Sequence, residues 1–374
     1  MAFNSMFFNN DLAEFFSSDR HLRPRDRMTT RVLTTRGLSN VRDAIELIHR
    51  SMAPGEFHVG ATYVTEHTPL RLSADSFYLE PAEAEPDAYV EWLLALSRAQ
   101  DFALVWPQSR WALLMGWRER FDALGVRLIL PCPDAATLDD IQDKSRANAR
   151  LEAIGVPMPQ TLLVTTGAEF VAAMATIGDS GQRACVKPVR SIYGLGFRVI
   201  DDGKRPLDRL LGNDSYTIGG AEFASLLDAA GGRHPFLAME YLAGDERSVD
   251  CLARAGTLVR AVVRRKPAKA HGRWQIIEDD AEAREIARQV VGAFRLDGLI
   301  NVQTRERIGH DGRRQQCFLE VNPRMSGGID MACRAGLNLP YWLLRLVAGT
   351  VAEEAIPWPD ADVRVAKIER AVTL

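Results

Sequence analysis

Residues 318–328 read FLEVNPRMSGG. Apolar and polar residues alternate as far as Asn322, and then a proline, an arginine and a glycine pair interrupt the pattern. In a strand, side chains two apart share a face. The alternation therefore predicts that Glu320, Asn322 and, past the proline, Arg324 project together, while Leu319 and Val321 face a core. A carboxylate, an amide oxygen and a guanidinium in one row suit a metal-bound phosphate. A solvated hairpin face would need neither the arginine nor the paired glycines.

The strand has a partner upstream. The segment GLINVQTRERIGHDGRRQQCFLEVN, residues 298–322, contains Asp311-Gly312, a strong hairpin signal. A two-residue loop there pairs His310 with Arg313 and carries Gln303 opposite Glu320 and Asn301 opposite Asn322. Opposed side chains lie on one face with Cβ atoms about 5 Å apart, which gathers Gln303, Glu320 and Asn322 into one oxygen-rich cluster. Mg²⁺ takes oxygen ligands and is held by one or two carboxylates together with substrate phosphates. One glutamate with two amides fits a site in which a polyphosphate supplies the remaining negative charge.

Three further segments add to this picture. In ACVKPVRSIYGLGF, Lys187 follows a buried strand and precedes a loop whose Gly194 and Gly196 allow close approach to an anion. A plain β-hairpin turn fits that loop as well. In FLAMEYLAGDERSVD, a hydrophobic strand ends at Glu240, and the backbone of Glu240, Tyr241 and Leu242 could meet the edge of an adenine. Glu246 could then accept hydrogen bonds from ribose hydroxyls; read alone, these acids are ordinary turn residues. Arg264 or Lys266, in VVRRKPAK, could bind an anionic substrate or form a solvated basic strand end. Lys144 by itself reads as a surface lysine.

Composition narrows the class. The chain has 374 residues, 47% hydrophobic and 25% charged, with a formal net charge of -3. That is a globular protein of two or three domains with no electrostatic footprint for nucleic acid. Five scattered cysteines without a CxxC pair argue for a reducing, cytoplasmic setting and against a zinc site. No apolar run is long enough to span a membrane. The first 28 residues lack the pattern of a signal peptide and read as an extension with a short amphipathic helix near DLAEFF, suited to packing in a homodimer. Residues 29–135 alternate strands and helices, which predicts a parallel sheet. Only Gly37 follows its first strand, so no dinucleotide is expected there.

Taken in order, DKSRANARLEAIGVPMPQT, CVKPVRSIYGLGF, MEYLAGDERSVD, NVQT and FLEVNPRMSGG resemble the ATP-grasp superfamily, most of all its carbamoyl-phosphate-synthase-like branch of carboxylate ligases. The resemblance implies an α/β fold, α+β in its C-terminal part. A Rossmann-like domain (29–135) would precede an ATP-grasp domain (136–374) with a mobile lid near 160–237. It implies that Lys144 and Lys187 contact ATP phosphates beneath a glycine loop containing Tyr193, Gly194 and Gly196. Glu240, Tyr241 and Leu242 would form the adenine hinge, with Glu246 on the ribose. Gln303, Glu320 and Asn322 would bind Mg²⁺ or Mn²⁺, and Arg324 would stabilise the transferred phosphoryl group.

The chain ends soon after this core, without a biotin-carboxylase-type C-terminal domain or a second synthetase half, so neither of those activities is expected. The resemblance implies an ATP-dependent ligase that activates a small-molecule carboxylate as an acyl phosphate for attack by an amine. A phosphotransferase releasing a phosphorylated product, or a nucleotide-binding regulator, would use part of the same residue set.

Overall fold

The computed structural model describes residues 29–37, 41–81, 84–178, 183–192, 194–212, 214–267, 274–309, 311–368 and 370–374. The N-terminal extension, Tyr193 and His310 lie outside them.

Strands β1 (Thr30–Thr34), β2 (Phe57–Tyr63), β3 (Ser76–Leu79), β4 (Leu104–Trp106) and β5 (Arg127–Leu128) form a parallel sheet ordered β3-β2-β1-β4-β5. Helices α1 (Val41–Ser51) and α2 (Pro86–Ala99) are among its crossovers. Strand β3 and helix α2 have no counterpart among the sequence-based expectations, although the buried stripe Tyr89, Val90, Leu93 and Leu94 gives α2 a helical period. Gly37 has a packing role here: a Cβ on it would sit 2.1 Å from the Gln108 Cβ.

Residues 111–123 divide at Trp117 into α3 (Trp111–Gly116) and α4 (Arg118–Ala123). The segment from 135 to 152 likewise divides, at Asp143, into α5 (Ala135–Gln142) and α6 (Lys144–Glu152). Asp143 leaves helical backbone angles, and its carboxylate accepts from the Ser145 and Arg146 N–H groups. A residue able to cap competes with continuation of the helix. The break makes Lys144 the first residue of α6, with its backbone N–H on the Val189 carbonyl at 3.1 Å.

The second sheet is mixed. Strands β6 (Thr161–Val164), β7 (Ala184–Pro188), β8 (Arg198–Ile200), β9 (Thr217–Ile218) and β10 (Phe236–Glu240) run in the order β6-β10-β7-β8-β9. Helices α7 (Gly167–Gly178), α8 (Pro206–Leu211) and α9 (Gly220–Ala230) lie between its strands in sequence. Phe170 of α7 and Phe223 of α9 meet edge to face, ring centroids 4.9 Å apart, in the core that α7 and α9 make with the sheet. A smaller cluster of Cys185, Leu237 and Met239, with Phe197 and Tyr241, lines the opposite face.

The third sheet is antiparallel, with β11 (Glu246–Arg254), β12 (Thr257–Lys266), β13 (Gln275–Glu278), β14 (Gly298–Ile308), β15 (Arg314–Asn322) and β16 (Val363–Val365) in the order β15-β14-β11-β12-β13-β16. Val249, Cys251, Val263, Ile300, Val302 and Val321 share a buried cluster with Ile286 and Val290 of α10 (Ala281–Ala293) and with Phe294 beyond it. Helices α11 (Ile329–Ala332) and α12 (Leu339–Val347) follow β15 and pack with residues of α1 in a cluster that joins the first and third sheets. All five cysteines are free thiols. Among the described residues, no helix is long and apolar enough to cross a membrane.

Phe294 is fully buried under this sheet. Phe294→Ala should cost about 3–5 kcal/mol through lost burial and the cavity left behind, read as a lowered urea midpoint with an unchanged slope.

Candidate active site

The face of the third sheet opposite α10 carries polar side chains in rows. Across the strands, Arg264 lies opposite Ser248, Ser248 opposite Gln303, and Gln303 opposite Glu320. One step along the same face, Asp250 opposes Asn301, and Asn301 opposes Asn322. One step the other way, Lys266 opposes Glu246, which opposes Arg305. Intervening residues such as Val249, Val263, Val302 and Val321 belong to the core on the reverse face. The two-residue pleat thus sorts these strands into a solid side and a chemical side.

The β14–β15 register holds a correction. Near the turn the strands pair as Ile308 with Arg314 through Thr304 with Phe318, one residue out from the register of a two-residue Asp311-Gly312 loop. The loop is longer: Gly309 N–H reaches the Arg313 carbonyl at 2.9 Å. A shift between Gln303 and Thr304 leaves Leu319 as an extra residue and restores Gln303 opposite Glu320 and Asn301 opposite Asn322. Leu319 therefore does not face the core as its place in the alternation predicts. Leu319 lines the cavity described below, and its carbonyl accepts a 2.9 Å hydrogen bond from the Lys187 Nζ. A bulge frees a backbone group that a regular ladder would use.

Lys187 projects from β7 and is nearly inaccessible. Burial draws its pKa down to about 8, Glu320 acts to raise it, and Lys144 lowers it further. Burial also lowers the pKa of Lys144. The Lys144 Nζ donates to the Ser191 carbonyl at 2.9 Å and to its Oγ at 3.2 Å, tying α6 to the loop after β7. Arg190 secures the same loop through Asp139 at 2.8 Å. Gly194 and Gly196 both have positive φ. Gly194 lines the cavity, whereas Gly196 packs on Pro188, where a Cβ would come within 2.5 Å of the ring.

At the end of β10, Glu240 N–H bonds to the Gln160 carbonyl and Tyr241 N–H to that of Arg183, and the sheet bonding stops there. The Glu240 carboxylate is held by Arg307 at 2.7 and 2.8 Å, so its side chain serves the framework, while Glu240, Tyr241 and Leu242 line the cavity. The Tyr241 ring has Arg183 and Arg305 guanidiniums 5.3 and 5.4 Å from its centroid. Glu246 pairs with Lys266 at 2.5 Å. Asn322 Nδ2 donates to the Glu320 carboxylate at 3.2 Å, and Arg324 Nη2 to the Asn322 Oδ1 at 3.5 Å.

These elements enclose a cavity of about 550 Å³. Lys144, Lys187, Gly194, Glu240, Tyr241, Leu242, Glu246, Gln303, Glu320, Asn322 and Arg324 all line it. Gly196 does not, and Tyr193 lies outside the described residues. Ser248, Gln275, Asn301 and Arg305 also line it and were absent from the sequence-derived site, although positions 248, 301 and 305 follow from two-residue alternation on strands already identified. Among the described residues the lining holds six cationic side chains against three carboxylates, and with Arg264 neutralised by Asp250 an excess of two remains that suits a polyanion. Among the described residues, no group of three or more His, Cys, Asp or Glu could hold a metal. Glu320 with the amides of Gln303 and Asn322 still fits a hard cation whose other ligands are phosphate oxygens, because all three supply oxygen donors from one face.

Residues 233–371 match the family described as ATP-grasp in the biosynthetic pathway with Ter operon. Among solved structures, the chain is similar to N5-carboxyaminoimidazole synthetase from Staphylococcus aureus, with 15% identity and a TM-score of 0.61 over 89% of this chain and 80% of that one. It is similar to an L-amino acid ligase from Bacillus licheniformis at 15% identity and a TM-score of 0.59, covering 88% and 77% of the two chains. The biotin carboxylase domain of the Hydrogenobacter thermophilus 2-oxoglutarate carboxylase, in complex with MgADP and bicarbonate, matches at 15% identity with a TM-score of 0.58 over 86% and 70%. The chain thus shares the fold of these solved structures, and its segment 233–371 carries the match to an ATP-grasp family.

Proposed function

We propose that this protein is an ATP-dependent ligase that activates a small-molecule carboxylate as an acyl phosphate and passes the acyl group to an amine. The observation that carries the reading is the meeting of Gln303, Glu320 and Asn322 with Lys187 and Arg324 in one cavity. The similar chains include an L-amino acid ligase and a domain bound to MgADP and bicarbonate, which support the reaction class.

In this reading the adenine lies against the backbone of Glu240, Tyr241 and Leu242, and Glu246 takes the ribose. Lys144 and Lys187 exchange their present partners, Ser191 and the Leu319 carbonyl, for phosphate oxygens. Gln303, Glu320 and Asn322 hold Mg²⁺ or Mn²⁺, which when bound neutralises phosphate charge. A carboxylate oxygen of the acceptor attacks the γ-phosphorus, and the β–γ P–O bond breaks to release ADP. The amine nitrogen then attacks the acyl carbon, phosphate leaves, and the amine gives up a proton. Carboxylate oxygens are poor leaving groups and phosphate is a good one, which is why the two steps are coupled. Phosphoryl transfer depends mainly on positioning and charge stabilisation, and the Arg324 guanidinium supplies the latter at the transferred group.

Three outcomes follow. Lys187 titrates near 8 in the free protein, and phosphate beside it would raise that value. MgADP affinity should be full below this pH and fall up to about tenfold per unit above it, with proton uptake on binding. Calorimetry from about pH 7 to about pH 10, in two buffers of different ionisation enthalpy, checks this; a flat affinity removes Lys187 from the phosphates. Glu320→Gln should raise the Mg²⁺ concentration needed for turnover by at least about tenfold while thermal unfolding is unchanged. Finally, a pool of amino acids and small acids incubated with ATP and Mg²⁺ should yield a condensed product by mass spectrometry, together with carboxylate-dependent phosphate release. A stable phosphorylated product without condensation would make the protein a phosphotransferase. Nucleotide binding with no turnover would make it a regulator.

A further inference from the structure

Arg264 is among the largest fully buried side chains of the molecule, although it borders the cavity. Its guanidinium is already committed. Nε donates to Asp250 at 2.7 Å, Nη1 to the Gln275 side-chain carbonyl at 2.5 Å, and Nη2 to Ser248 Oγ at 3.0 Å and Ser326 Oγ at 2.9 Å. Asp250 is equally inaccessible, so the charge is balanced inside the protein and not by a ligand. Asn301 braces the same group, its Nδ2 donating to Ser248 Oγ at 2.8 Å. A buried ion pair is costly to desolvate, and removing one partner leaves an uncompensated buried charge.

Ser326 receives one of these bonds from the segment that connects β15 to α11, two residues after Arg324. The same hydroxyl accepts the Gly328 N–H at 3.2 Å. The guanidinium lies so close to the segment that a Cβ on Gly328 would fall 2.6 Å from Nη1. The Arg324 N–H, in turn, is bonded to the Asn322 carbonyl at 2.7 Å. Arg264 therefore joins β11, β12 and β13 to the segment bearing the cavity arginine.

We propose that Arg264 is a positioning residue: by fixing Ser326 through its planar fork, it holds the Pro323–Gly328 segment so that Arg324 lines the cavity. This replaces a direct role for Arg264 in binding an anionic substrate. The consequence for turnover rests on the ligase reading above; the positioning of the segment does not.

The test uses Ser326→Ala, which spares the buried pair, and Arg264→Lys, which keeps the charge but loses the fork. Both should bind MgADP within about threefold of the wild type, since hinge and phosphate contacts lie elsewhere. Amide exchange of the 323–329 peptide should rise at least about tenfold, with the 236–242 peptide unaltered. With the acceptor found in the product screen, kcat should fall at least about tenfold while the ATP KM stays within about threefold. Exchange at wild-type rates in both variants overturns the proposal, and so does an unchanged kcat. If wild-type protein turns over no carboxylate, the ligase reading fails, and the exchange data alone decide whether Arg264 positions the segment. Should Arg264→Lys fail to fold, Ser326→Ala decides by the same measurements.

Discussion

The pleat of one antiparallel sheet organises this molecule. Each residue of β11, β12, β14 and β15 must point to one side or the other, and the sheet has opposite tasks on its two sides. Val249, Val263, Val302 and Val321 bury one side beneath α10. Ser248, Arg264, Gln303 and Glu320 stand in line on the other. A slip of one residue in any strand would turn a carboxylate into the core and a valine into the cavity. The hydrophobic core and the chemistry therefore enforce the same register, so the side that supplies no chemistry still fixes the geometry of the side that does.

Electrostatics builds on that register. Lys187 enters from the second sheet and is buried against the third, where the bulged Leu319 carbonyl receives it and Glu320 lies close enough to favour its charged form. Lys144 opens α6 where Asp143 caps it, and from there its Nζ reaches the loop after β7. Both cations are thus satisfied by neutral protein oxygens, partners that a phosphate could displace without leaving a strong ion pair broken. Arg264 is different: its carboxylate partner is internal, and its hydrogen bonds go to protein side chains. Of two cations bordering one cavity, burial with a carboxylate marks the one that shapes it, and burial against carbonyls marks the one free to change partners.

Much of this was legible in the residues. The alternation through FLEVN placed Glu320 and Asn322 on one face, and opposite-strand counting gave Gln303 as the neighbour of Glu320. That count reached the observed register through two offsetting departures, a longer turn and a bulge at Leu319, neither of which alternation can detect. The helix break at Asp143 is not legible in the residues, because capping is decided by backbone angles and not by composition. Strand β3 was missed because a short edge strand with all residues half-buried has no clear alternation.

What the sequence determined by itself was local: which residues pair within a hairpin, which face of a strand is polar, and which ordered motifs resemble the ATP-grasp superfamily. What only the tertiary structure decided was the meeting of distant segments. Lys187 and Leu319, Arg264 and Ser326, and Glu240 and Arg307 are each separated by more than sixty positions yet share hydrogen bonds. Alternation propagates along a strand and across a turn because covalent geometry carries it. It cannot pass between sheets, where packing of whole layers sets which polar groups meet.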